Sequence, residues 1–111
     1  MNSTEIKALY KLNVMQTYAR FDVALERGAG ARLYSPEGKE YIDFTSGIGV
    51  NCLGYGDAGW AKAVFEQAVK LQHTSNLFYT GPGAELAAEL TSRSDMSVAF
   101  YCNSGGEANE G

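Results

Sequence analysis

Asn103-Ser104-Gly105-Gly106-Glu107 is the stretch of this 111-residue chain best suited to holding a ligand. Paired glycines let a ligand approach the backbone with no Cβ in the way, and free amides at a helix N-terminus favour phosphate. Ser104 and Glu107 also have capping-box spacing, in which the hydroxyl serves the amide three residues on and the carboxylate reaches back. Two readings therefore stand side by side, a capped helix after a tight turn and a phosphate cradle. The first-turn carboxylate already complements the helix dipole, which weighs against a bare anion. The run is neither a Walker loop nor a full Gly-x-Gly-x-x-Gly fingerprint. A second glycine-rich loop, Ser46-Gly47-Ile48-Gly49-Val50-Asn51, leaves an expected strand and either carries function or simply turns the chain. Asn76-Leu77-Phe78-Tyr79 is an aromatic-bearing link between helices, suited to anchoring or to binding.

Residue counts remove whole reaction classes. His73 is the only histidine, so no site needing several imidazoles can be built. A Ser-His-Asp triad would have to use His73 itself, and at the end of a helix its plainer role is to cap carbonyls. Cys52 and Cys102 form no Cys-x-x-Cys clamp, so neither a zinc site nor a redox pair is expected, and no metal. They read as small buried residues of a reducing compartment, which makes the expected location cytoplasmic. The net charge of −4, with nine scattered Lys and Arg, disfavours a nucleic-acid partner. No apolar run approaches the ~20 residues of a membrane span, so no membrane partner is expected. Glu5, Lys7 and Lys11 interrupt any signal-peptide core.

These residues need elements to position them. Ile6, Leu9, Tyr10 and then Val14, Met15 and Tyr18 mark a helix over 4–17, interrupted by Asn13. Phe21, Val23 and Leu25 alternate with Asp22, Ala24 and Glu26 as a half-buried strand does. Gly28-Ala29-Gly30 is expected to turn that strand. Arg32-Leu33-Tyr34, the turn Ser35-Pro36-Glu37-Gly38 and Tyr41-Ile42-Asp43-Phe44 then complete a three-stranded antiparallel meander. Eight of the thirteen glycines fall between Gly28 and Gly59, as suits turns and short strands. Asp57 is the expected N-cap of a helix whose apolar positions are Ala61, Val64, Phe65, Ala68 and Leu71, with Lys62, Glu66 and Lys70 on one polar face. A further helix starts near Pro82. Val98–Cys102 is a continuous apolar run expected to be a strand buried on both faces, and Trp60, Phe65 and Phe100 are expected in the core. The helix opened at Ser104 has barely two turns. A parallel strand also needs a crossover and a neighbour, so the chain reads as the front portion of a larger α/β protein.

Taken together, the motifs resemble the N-terminal part of the class III, pyridoxal-phosphate-dependent aminotransferases. The resemblance runs through Thr17-Tyr18-Ala19-Arg20-Phe21, Leu33-Tyr34 with Gly38, Tyr41-Ile42-Asp43-Phe44 and Ser46-Gly47-Ile48-Gly49-Val50-Asn51 with Leu53-Gly54. It continues through Gln67-Ala68, Lys70-Leu71, His73-Thr74-Ser75-Asn76-Leu77 with Tyr79, and Asn103-Ser104-Gly105-Gly106-Glu107-Ala108-Asn109-Glu110. It implies the N-terminal part of a fold-type I transferase, with 1–56 in the small domain and 57–111 opening the large cofactor-binding domain. It also implies that amides of Gly105 and Gly106, helped by the Ser104 hydroxyl, hold the phosphate of pyridoxal phosphate. Gly47 and Tyr79 would lie near the substrate. Glycine at 47 is similar to the branch acting on acetylornithine, where a small residue leaves room for an acylated amine. The implied reaction passes an amino group from acetylornithine to 2-oxoglutarate in arginine biosynthesis, by a homodimeric enzyme. The alternatives are a sister enzyme for ornithine, 4-aminobutyrate or succinylornithine, and a non-catalytic assembly or binding module.

Two departures stand out. Gly106 replaces the Ala, Thr or Val common in relatives, and Tyr55-Gly56-Asp57-Ala58 replaces a His-x-His-Pro run. The lysine that anchors the cofactor, the aspartate on its ring nitrogen and the arginine gripping the substrate carboxylate are expected beyond residue 111. None of Lys7, Lys11, Lys39, Lys62 and Lys70 matches that lysine's motif. No residue within 1–111 is therefore expected to be catalytic, and these residues alone are expected neither to turn over substrate nor to bind the cofactor stably.

Overall fold

Asn2 starts the first helix, α1 (Ser3–Asn13), with a reciprocal cap: its Oδ1 accepts the Glu5 N–H and the Glu5 carboxylate accepts the Asn2 N–H, both at 2.9 Å. The computed structural model describes residues 1–111 and divides into two units, Met1–Lys70 and Leu71–Gly111. α1 ends where Asn13 interrupts the helical pattern, four residues before the expected end. The Asn13 amide donates to the Leu9 carbonyl at 3.0 Å and the Gln16 amide to the Tyr10 carbonyl at 3.1 Å, so side chains take acceptors that a longer helix would use.

The antiparallel meander is present, with strand order β1 (Arg27–Ala29), β2 (Arg32–Tyr34), β3 (Glu40–Ile42). Its first strand is displaced from expectation. Phe21–Glu26 forms no strand, and the Val23 N–H instead closes on the Phe21 carbonyl at 2.8 Å, bending the chain. The expected turn residues Gly28 and Ala29 lie inside β1, paired with Leu33 and Arg32. Alternation marks which faces a strand would show; register is set by the turn, here Gly30–Ala31 with Gly30 at φ +56°. Arg27 sits opposite Tyr34 and lays its guanidinium 3.7 Å from the ring centroid. The second turn matches its sequence: the Gly38 N–H bonds the Ser35 carbonyl at 2.9 Å, and Gly38 adopts φ +85°.

That turn also anchors α1. The Glu37 carboxylate accepts the Ser3 N–H at 2.7 Å and the Ser3 hydroxyl at 2.6 Å, which holds its pKa down at about 2. Because the folded value lies below the ordinary 4.5, the stabilisation is complete above about pH 4.5 and is lost as pH falls towards 2. The Ser3 amide should therefore keep its protection from hydrogen exchange until pH drops through that window, and Glu37→Gln should weaken it at all pH. A Glu37 carboxyl titrating at its ordinary value would show that this anchor is open in solution.

After β3 the chain enters the short turn α2 (Ser46–Gly49) and then α3 (Ala58–Lys70). Asp57 caps α3 as its type suggests, accepting the Trp60 N–H at 2.7 Å, and Lys62 and Glu66 approach to 3.7 Å on the polar face. The second unit holds α4 (Gly81–Ser92), with proline in its first turn, and α5 (Gly105–Glu110).

Three expectations about burial are corrected. Val98–Cys102 pairs with no other strand, so the expected large-domain strand is not formed, and Val98 is 84% exposed. Trp60, Phe65 and Phe100 are exposed rather than core. Cys52 is exposed and Cys102 only half-buried, both as free thiols. The cause is common to all three. Packing of element on element is confined to the meander, and Ala24 and Ser35 are the only buried residues. An apolar stripe marks a face meant for cover, and no second layer lies over these faces.

Candidate cofactor and substrate site

In the second unit, Ser104 adopts extended backbone (φ −152°, ψ 163°) and its Oγ accepts the Glu107 N–H at 3.2 Å, making it the N-cap of α5. The other half of the expected box is shifted by one residue. The Glu107 carboxylate accepts the N–H of Asn103, not of Ser104, at 2.9 Å. The amides of Gly105 and Gly106 consequently have no acceptor in the chain. A Cβ on Gly105 would meet nothing within 4 Å, and one on Gly106 only the Ser104 hydroxyl at 3.6 Å. Two free donors in open space beside a hydroxyl suit the phosphate of pyridoxal phosphate, so the residues present fit that group.

Beside this turn lies a cleft of about 510 Å³ lined by His73, Ser75, Asn76 and Phe100–Asn103, with Glu107. The Asn76 amide donates to the Tyr101 carbonyl at 3.3 Å, and the Tyr101 hydroxyl to the Gly83 carbonyl at 2.7 Å, tying the Val98–Cys102 segment to the link before α4 and to α4 itself. α3 stops at Lys70, so His73 lies beyond that helix's last turn. It lines the cleft. Ser75 is at φ +59°, and the buried Thr74 Oγ1 has no partner. Tyr79 is wholly exposed.

Gly47 belongs to the first unit, where four consecutive residues are left-handed: Ser46 at φ +50°, Gly47 at +63°, Ile48 at +63° and Gly49 at +78°. Glycine accepts this region freely, whereas the β-branched Ile48 is strained in it, at a cost of roughly 1–2 kcal/mol. Asp43 holds the entrance. Its Oδ1 accepts the Thr45 N–H at 2.8 Å, the Thr45 hydroxyl at 2.7 Å and the Ser46 N–H at 3.2 Å, while its Oδ2 accepts the Tyr55 hydroxyl at 2.8 Å. Hydrogen bonds from Thr45, then Tyr55, hold the Asp43 carboxyl at about 2, and Asp43 in turn pushes the Tyr55 phenol up.

Tyr55 is the residue that sequence reasoning undervalued, having treated it only as a departure from a histidine. Its backbone forms a bridge with Gly30, at 2.9 and 2.8 Å, and its ring lies where a Cβ on Gly28 would be, 2.5 Å from Tyr55 Cβ and Cγ. Glycine at 28 is thus required by Tyr55, a pairing invisible without the fold.

Comparison with known proteins bears on the same residues. Acetylornithine aminotransferase of Haemophilus ducreyi is 52% identical over 111 residues, covering 100% of this chain and 28% of that protein, at its N-terminal part. The crystal structure of acetylornithine aminotransferase from Elizabethkingia anophelis superposes with a TM-score of 0.92 at 33% identity, over 99% of this chain and 29% of that one. Ornithine delta-aminotransferase of Plasmodium falciparum gives a TM-score of 0.92 at 25% identity, again over 99% of this chain and 29% of the other. The chain therefore spans less than a third of the length of these relatives. The family model for aminotransferase class-III matches residues 14–111, and the chain belongs to that family.

Proposed function

We propose that this chain is the N-terminal part of an acetylornithine aminotransferase, carrying the phosphate end of the cofactor site. Family membership implies pyridoxal phosphate in the intact enzyme. The observation that carries the reading is the Ser104-Gly105-Gly106 turn, with two unclaimed amides and open space at Gly105. Bound pyridoxal phosphate supplies the electron sink through which an amino group passes from an amino acid to a 2-oxo acid. The residues of this chain bind and orient: Gly105 and Gly106 donate amides to the phosphate, and the Ser104 hydroxyl, accepting from Glu107, keeps its own hydrogen to donate. Gly47 and Tyr79 border the amino donor. The intact enzyme transfers the amino group of acetylornithine to 2-oxoglutarate as a homodimer in a reducing compartment. Residues 1–56 belong to its small domain and 57–111 to its cofactor domain. Ornithine as donor is the second reading, supported by the likeness to ornithine aminotransferase.

Gly105→Pro tests the cradle cleanly. Proline is favoured at a helix's first position, the extended Ser104 before it is compatible, and a Cβ at this position meets nothing within 4 Å. α5 should persist while one donor disappears. Since a hydrogen bond to a charged group is worth about 1.5–3 kcal/mol, affinity of the intact enzyme for pyridoxal phosphate should fall about 10- to 100-fold. Affinity for unphosphorylated pyridoxal should not change. Equal losses for both ligands would place the phosphate elsewhere. Turnover of acetylornithine well above ornithine decides between the two donors.

A further inference from the structure

The Tyr55 hydroxyl stands at one end of a short polar relay. It donates to Asp43 Oδ2 at 2.8 Å. The Asn51 amide nitrogen lies 2.8 Å from where a Cβ on Gly47 would be. The other oxygen of Asp43 holds Thr45 and Ser46, and the Asn51 N–H closes on the Ser46 carbonyl at 2.9 Å. The entrance of the left-handed turn is therefore tied through Asp43 to this phenol. The turn needs such ties, because it places Ile48 in a strained conformation with its side chain 95% exposed and no packing to retain it. Asp43 and Tyr55 themselves are half-buried, and the Tyr55 ring is fixed over Gly28.

We propose that the Tyr55 hydroxyl is a positioning group which, through Asp43, fixes the strained Ser46–Gly49 turn and so the placement of Gly47 beside the amino donor. This rests on the reading above that Gly47 borders the donor. Tyr55 touches neither cofactor nor substrate in this role. Its effect is on how often the turn holds its shape, so it is read in donor binding rather than in the chemical step.

Tyr55→Phe removes the hydroxyl and keeps the ring on Gly28. In the intact enzyme it should raise hydrogen exchange at the Ser46, Gly49 and Asn51 amides at least tenfold, leaving Gly28 and Leu33 in the meander unchanged. KM for the acetylated donor should rise about 3- to 10-fold with kcat within twofold. In an Asp43→Ala background, where the phenol has lost its partner, Tyr55→Phe should add no further loosening. Exchange within twofold of the parent in Tyr55→Phe overturns the proposal, whatever the activity. A loosened turn with unchanged KM overturns the link to the donor while leaving the assigned reaction intact. A parent enzyme that transfers no amino group sinks the assigned reaction instead, and the exchange measurement still decides the clamp.

Discussion

Gly54→Ala is expected to open the loop between the meander and α3. Gly54 adopts φ +78°, and a Cβ there would stand 2.9 Å from the Gly30 carbonyl oxygen and 3.1 Å from the Gly30 carbonyl carbon and Cα. All three are backbone atoms of the residue that bridges to Tyr55, so none can swing aside as a side-chain tip would. Left-handed strain of roughly 1–2 kcal/mol and a forced backbone shift of about 1–3 kcal/mol add to about 2–5 kcal/mol. In a unit whose only buried residues are Ala24 and Ser35, a loss of that size is a large share of what holds it together. The Gly30 and Tyr55 amides should lose their protection from exchange, and thermal stability should fall with them. Gly49→Ala is the control, since Gly49 has a similar φ of +78° but open space around it. It should show only the conformational part of the cost. Equal effects at both positions would mean that the close approach to Gly30 does not limit the loop.

Self-association of the 111-residue chain is the second large effect expected. Val98 is 84% exposed and Phe100 75%, in a segment whose backbone joins no ladder. Unpaired strand-like backbone flanked by exposed apolar side chains invites pairing with another chain. Exposed faces elsewhere add to it: Trp60, Phe65 and Val69 on α3, Leu86 and Leu90 on α4. Sedimentation at micromolar concentration should show dimers or larger species, and Val98→Lys combined with Phe100→Lys should shift the chain towards monomer. A parent chain that sediments as a clean monomer would show that these faces are tolerated in water.

Local features were legible in the residues because their physics is local. Asp57 caps α3 and Ser104 caps α5 through bonds reaching three residues, and proline opens α4. The Ser35–Gly38 turn closes as its proline and glycine indicate. The free amides at Gly105 and Gly106 follow from the same short-range logic. The family itself was readable from the order of its motifs along the chain. What the tertiary structure alone decided was everything that needs a partner distant in sequence. β1 lies at 27–29 rather than 21–26 because the turn sets pairing, while alternation specifies only faces. Val98–Cys102 has strand composition yet no strand, because a ladder requires a neighbour as well as a sequence. The phenol of Tyr55 meets Asp43 twelve residues away and its ring meets Gly28 across the meander, so its role depends on two contacts that no spacing rule encodes. Short-range hydrogen bonding and backbone sterics write themselves into neighbouring residues; register, cover and side-chain relays arise only when the chain has returned on itself.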